Sequence, residues 1–340
     1  MCRVVRVAVL SAGSWGTAMA KVFTDAGGDV VVHARRAEVA DAINTVHQNP
    51  RYFPDVLLPP RLRATTSATE ALSGAAYAVL SIPAQTLRGN LAAWAPHIGA
   101  EAIVVSMMKG IETHSGLRMS EVIHEMTGIP FERIAVLSGP NLAREVAAGQ
   151  PAASVIACPD ETVATALRTA CHTPYFRPYT STDVAGCELG GATKNVIALA
   201  VGLAAGLGLA DNARALLITR GLAETARLGA ALGADPLTFS GLAGAGDLIA
   251  TCSSPLSRNR SFGEYLGQGM SIDEATRATH RTAEGVKSCR AILGLARTHG
   301  VEMPITEVVA SVIDGTATVA DAAAALMSRT PKAEHHGARS

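Results

Sequence analysis

Lys194 and Asn195 interrupt ELGGATKNVIALAVGLAAGLGLA, a run that is otherwise mostly small and apolar. An ammonium buried there gives up and recovers a proton readily, so it suits a proton donor or acceptor. The plainer reading is a lysine that snorkels to the surface. Lys109 directly follows the apolar run AIVVSMM, where a cation can hold a phosphate or polarise a carbonyl. GAGD at 244–247, ahead of LIATC, puts the Asp247 carboxylate at a glycine-flexible helix start, with Thr251 four residues on. An N-cap is enough to explain that aspartate. Ser257-Arg258-Asn259-Arg260 gathers donors in one loop with no acid nearby. Arg258 suits a bidentate clamp on phosphate; a solvated basic loop is the alternative. In Ser138-Gly139-Pro140-Asn141, Asn141 reads as an N-cap, and the turn aims backbone N–H groups either at a ligand or only at the helix start.

VLSAGSWGTAMA, at 9–20, is close to the dinucleotide-binding pattern G-x-G-x-x-G. Gly13 and Gly16 hold its second and third places, and Ser11 stands in the first. The stretch ends a strand-like run and opens a helix-like one, the context that gives the pattern meaning. There Gly13 lets the backbone approach a pyrophosphate, Gly16 allows close helix–strand contact, and the helix N-terminus faces the phosphates. Ser11 is expected at ordinary negative φ, with its hydroxyl free to face a phosphate. An NAD site usually carries an acid at the end of its second strand. Here that position reads His33-Ala34-Arg35-Arg36, and Asp29 lies at the other end of the strand. Two guanidinium groups favour the 2′-phosphate of NADP(H), with NAD(H) possible and two solvated arginines the alternative.

These residues need elements to hold them. VVRVAVL, DVVVHA, AAYAVLSI, AIVVSMM and RIAVLSG are continuous apolar runs, as in strands buried on both faces of a parallel sheet. Helical stretches at 15–26 and 86–97 lie between them, so the first half reads as a doubly wound α/β sheet of Rossmann type. ASVIACP and YFRPYT extend that sheet. After residue 181 the spacing becomes helical, in ELGGATKNVIALAVGL, NARALLITRGLAETARLGAAL, VKSCRAILGLARTHG and 318–328. The expected division is 1–181, a dinucleotide-binding domain, and 182–340, an all-helical substrate domain.

The formal net charge of +0 gives no reason to expect a nucleic-acid partner. Six scattered cysteines without C-x-x-C or Cys/His pairing suggest a reducing compartment and no metal site. The N-terminal apolar stretch is broken by Gly13, Trp15, Gly16 and Thr17, unlike a signal peptide. The run at 196–210 is too short for a membrane span and reads as a buried helix packed close to its neighbours. A cytoplasmic protein is expected.

GSWGTAMA, VSMMKGIE, LSGPNLAREVAAG, ELGGATKNVIALAVGL, NARALLITRGLAE, GLAGAGDLIATC, SRNRSFGEYLGQG and HGVEMPITE follow one another between about residues 7 and 310. In order and spacing they resemble the bacterial-type NAD(P)-dependent glycerol-3-phosphate dehydrogenases. That resemblance implies reversible reduction of dihydroxyacetone phosphate to sn-glycerol 3-phosphate, the backbone supplied to phospholipid synthesis, by a cytoplasmic homodimer. It implies Lys194 as general acid/base, Lys109 polarising the substrate and Asp247 supporting the chemistry. Gly139, Asn141, Asn195, Asp247, Thr251, Ser257, Arg258 and Asn259 would surround the substrate with the two lysines. Ser11, Gly13, Ser14, Trp15, Gly16, Arg35, Arg36, Lys109, Ala143, Arg258, Thr282 and Glu284 would meet the cofactor. The sequence departs from the family at Ser11, at Met108, where threonine is usual, and at Thr282-Ala283, where valines are frequent. Competing readings are a 3-hydroxyacid or 6-phosphogluconate type dehydrogenase, and a cofactor-sensing protein without turnover.

Overall fold

The computed structural model describes residues 4–279, 283–331, 333 and 334. Two compact units divide the chain. The first comprises Met1–Lys109 and Met119–Val184, the second Gly110–Arg118 and Ala185–Ser340.

The first unit is built on eight strands: β1 (Arg6–Leu10), β2 (Asp29–His33), β3 (Arg63–Thr65), β4 (Tyr77–Leu80), β5 (Ile103–Ser106), β6 (Ile134–Ser138), β7 (Ala152–Ala157) and β8 (Phe176–Ser181). Their spatial order is β3-β2-β1-β4-β5-β6-β7-β8. All neighbours are parallel except β6 and β7, where Leu137 lies opposite Ile156. The apolar runs became strands because helices cover both sheet faces: Val7, Val9, Val79, Val104 and Val105 are buried almost completely. β3 was not legible in the sequence, since three residues, Arg-Ala-Thr, carry no periodicity. β8 contains Pro178, which a strand tolerates at a sheet edge where one side needs no ladder donor.

The second unit is helical among its described residues, apart from an isolated bridge between Ile111 and Arg118. Its axis is Val184–Gly206, in which Gly186 through Ala204 are all buried. This helix is long and apolar enough to cross a bilayer, yet 83% of its most apolar window is buried inside the protein. Glycines explain the burial. Without side chains at Gly202 and Gly206, the helix Arg258–Gly267 crosses it through Gly263 and Gly267, with backbone against backbone. The remaining core comes from Leu189, Val196, Leu199, Leu228, Phe239, Phe262 and Ile292. Ile111, from the short inserted segment, is fully buried in the same cluster. That segment is tied to the long helix by an ion pair, Arg118 Nη1 to Glu188 Oε2 at 2.8 Å.

Candidate active site

In the first unit, β1 leads through Ser11–Gly13 into the helix Ser14–Asp25, with Gly13 as extended N-cap at φ −73° and ψ 176°. A Cβ on Gly16 would land on the Ser11 carbonyl oxygen, so glycine is required where helix and turn meet. The expectation for Ser11 fails: its φ is +151°, in the region that favours glycine. The turn holds a serine at a φ that glycine adopts freely, and strain of about 1–3 kcal/mol is stored there. Its hydroxyl oxygen accepts from Gly13 N at 3.0 Å. Ser14, Trp15 and Gly16 supply first-turn N–H groups, which have no partners within a helix, and that turn contains no acid. These features fit a pyrophosphate.

Arg35 and Arg36 follow β2 and are exposed. Arg36 has only a loose approach to Glu38, at 3.7 Å. Asp29 is committed at the opposite end of the strand, to Arg63 at 2.8 Å and Arg6 at 3.3 Å. After β5, Lys109 Nζ donates to the Gly139 carbonyl at 3.0 Å, joining two of the expected residues. Gly139 has φ +154°, and a Cβ there would press on the β7 backbone at Ser154. Asn141 is not the expected N-cap. The helix Ala143–Ala147 is preceded by Leu142, and Asn141 Nδ2 instead donates to Ser154 Oγ at 2.5 Å. Antiparallel β7 brings that serine to the turn, a pairing that local spacing does not reveal. Ala143 opens the short helix.

In the second unit, Lys194 lies in the buried middle of the long helix, 9% exposed. Its Nζ donates to Asp247 Oδ1 at 2.7 Å and to Thr251 Oγ1 at 2.6 Å. Asp247 and Thr251 are four residues apart on the helix Asp247–Ser253, so both face the lysine. Asp247 is the first helical residue, not a cap; a π-turn, Leu242–Gly246, runs straight into it. One helical turn before Lys194, Gly190 allows this approach, because a Cβ there would strike the Ala243 carbonyl. An ammonium has three N–H donors. Among the described residues two are taken by Asp247 and Thr251, which leaves one for a reacting oxygen. Beside them Cys252 is inert: burial pushes its thiol up to about 12, against the pull of Lys194.

Asn195 belongs to a second network. Gly285 N donates to Asn259 Oδ1 at 3.0 Å, and Asn259 Nδ2 donates to Asn195 Oδ1 at 2.9 Å. A backbone N–H can only donate, so it fixes both amides and directs Asn195 Nδ2 away from Asn259. Ser257 caps the helix Arg258–Gly267, its Oγ accepting from Arg260 N. Arg260 is paired with Glu264 at 3.2 Å, whereas exposed Arg258 has no carboxylate partner among the described residues. Glu284 opens the helix Glu284–Thr298, and Thr282 lies outside the described residues. Asn49, in the Pro-containing stretch HQNPRYFP, also reaches the turn after β1: its Nδ2 donates to the Ala12 carbonyl at 3.0 Å, a contact that local spacing does not reveal.

Residues 6–164 match the family model described as NAD-dependent glycerol-3-phosphate dehydrogenase N-terminus, and residues 183–324 match its C-terminal counterpart. A Streptomyces griseus protein named glycerol-3-phosphate dehydrogenase, NAD(P)+, is 60% identical over 334 residues, spanning 98% of this chain and 99% of that one. One of the same name from Corynebacterium glutamicum is 61% identical over 331 residues, spanning 97% and 100%. A crystal structure of glycerol-3-phosphate dehydrogenase from Coxiella burnetii superimposes with a TM-score of 0.90 at 35% identity, over 96% of this chain and 99% of that chain.

Proposed function

This chain belongs to the NAD-dependent glycerol-3-phosphate dehydrogenase family, and from that premise we propose how its residues divide the work. It is an oxidoreductase that interconverts dihydroxyacetone phosphate and glycerol 3-phosphate with a nicotinamide cofactor. The bound nicotinamide supplies or takes the hydride. Lys194 gives a proton to the substrate oxygen as the carbonyl is reduced, and takes it back on oxidation. Asp247 and Thr251 hold the ammonium at that task. Lys109 polarises the substrate, with Gly139 and Asn141 beside it. Asn195, Ser257, Arg258 and Asn259 receive the phosphate end, where a guanidinium without a carboxylate partner among the described residues suits a dianion. Ser11, Gly13, Ser14, Trp15 and Gly16 receive the cofactor pyrophosphate. Ala143, Glu284 and Arg258 complete the cofactor surroundings.

The observation that carries this reading is the buried Lys194–Asp247–Thr251 cluster. A sensor without turnover has no use for a proton-transfer lysine held in this way. NADP(H) is the preferred cofactor: Arg35 and Arg36 stand at the end of β2 without a strong acidic partner among the described residues, and Asp29 is spent elsewhere. The product is sn-glycerol 3-phosphate for phospholipid synthesis, made by a cytoplasmic homodimer. The five described cysteines are buried and none forms a disulfide with another, as suits a reducing compartment. The test follows nicotinamide absorbance with dihydroxyacetone phosphate, offering NADPH and NADH separately. Turnover with a lower KM for NADPH is expected; tight cofactor binding without turnover would sink the reading.

A further inference from the structure

Asn49 lies outside every motif that suggested chemistry, yet it is completely buried. Its Nδ2 donates to the Ala12 carbonyl at 3.0 Å and to Thr17 Oγ1 at 2.8 Å. Ala12 is the residue between Ser11 and Gly13, and Thr17 closes the first turn of the helix that follows. A carbonyl oxygen can only accept, so the orientation of the Asn49 amide is fixed. Its Oδ1 is thereby left buried without a partner among the described residues. An apolar side chain of the same shape would avoid that unmet acceptor, so the donors are what asparagine contributes here.

The residue is itself firmly held. Its own carbonyl accepts from Tyr52 N and Phe53 N, and Phe53 and Leu58 anchor the loop in the core. The turn it grips contains Ser11 at φ +151°, a conformation that persists only where its surroundings over-determine it. The Ser11 hydroxyl braces one side through Gly13 N, and the Asn49 amide braces the other through Ala12.

We propose that Asn49 is a positioning residue for the cofactor: it clamps the serine-bearing turn in the shape that presents its N–H groups to the pyrophosphate. This rests on the cofactor reading of the turn. The pyrophosphate is common to both cofactors, so loss of the clamp weakens NADPH and NADH by the same factor. Glycine at position 11 adopts positive φ without strain and makes the clamp largely dispensable.

The test is a double-mutant cycle on the full chain with Asn49→Ala, Ser11→Gly and the pair. Dissociation constants for NADPH and NADH are read by fluorescence titration, and circular dichroism and thermal unfolding report folding. Asn49→Ala is expected to weaken both cofactors about tenfold or more. The KM for dihydroxyacetone phosphate and kcat at saturating cofactor should stay within about twofold. In the Ser11→Gly background the same change should cost no more than about threefold. Asn49→Ser, which retains one donor, gives an intermediate loss and replaces the alanine variant if that does not fold. Unchanged affinities, a loss confined to NADPH, or equal losses in both backgrounds would overturn the proposal. If the unmutated protein binds neither cofactor, the cofactor reading itself fails, which is a separate outcome.

Discussion

The Lys194 ammonium and the Asp247 carboxylate meet at 2.7 Å, and side-chain exposure is 11% for the lysine and 2% for the aspartate. Removing either partner of a buried pair strands the other charge, at a cost of about 3–5 kcal/mol. Lys194→Met should therefore lower both the thermal midpoint and kcat, the latter by about 10²–10⁴-fold, while NADPH binding stays within a few-fold. Adding Asp247→Asn should restore much of the stability and none of the activity. Activity surviving in Lys194→Met would remove the lysine from the proton-transfer role.

The amide chain from Gly285 through Asn259 to Asn195 has a direction, and Asn259→Asp reverses one link of it. Aspartate still accepts from Gly285 N but has no N–H to offer Asn195 Oδ1. Asn195 should then turn over and present its carbonyl oxygen where its N–H groups had pointed. The expected result is a KM for dihydroxyacetone phosphate raised about tenfold, with the cofactor dissociation constant nearly unchanged. Steady-state kinetics beside a cofactor titration checks this, and an unaltered KM would remove the network from substrate binding.

Replacing Arg35 and Arg36 together by alanine should weaken NADPH about 10–100-fold and NADH only slightly. Both side chains are exposed, so salt should erode the NADPH advantage as well. Equal losses for the two cofactors would exclude a 2′-phosphate role.

Glu224, 2% exposed, caps the helix Pro304–Ile313, accepting from Ile305 N at 2.6 Å and from Thr306 N at 3.3 Å. Burial raises its carboxyl from 4.5 to about 7, against the pull of those N–H donors and of Arg227. A carboxyl whose pKa is higher folded than unfolded binds more protons in the native state between those values. Its contribution is therefore greatest below 4.5 and is lost as the pH rises through about 7. Glu224→Gln should flatten the fall in thermal midpoint between pH 5 and about 7, as measured by calorimetry in overlapping buffers. An unchanged slope would assign that pH dependence to other groups.

The sheet was readable because burial on both faces leaves runs such as RVAVL and IVVS almost without polar residues. Parallel pairing left a plain trace; β7 was visible as ASVIACP, but its antiparallel direction, which carries Ser154 to Asn141, was not. Lys194 was visible as an oddity in an apolar helix, but its partners lie 53 and 57 residues away, and no local period encodes that distance. Only resemblance joined them beforehand. Ser11 failed for a related reason. Residue type gave its preferred φ, and the surrounding clamp, including Asn49, overrode that preference.

Gly202 and Gly206 touch Gly263 and Gly267 with no side chains between them. One of these helices carries Lys194 and Asn195, and the other begins with Arg258 and Asn259. The crossing thus works as a calibrated joint of zero thickness: main chain against main chain sets the interval from Lys194 to Arg258 and Asn259. Pocket walls can be trimmed by mutation a methyl at a time, but this interval cannot. Even alanine at the joint acts as a wedge, so the reach of the site changes in one coarse step or not at all.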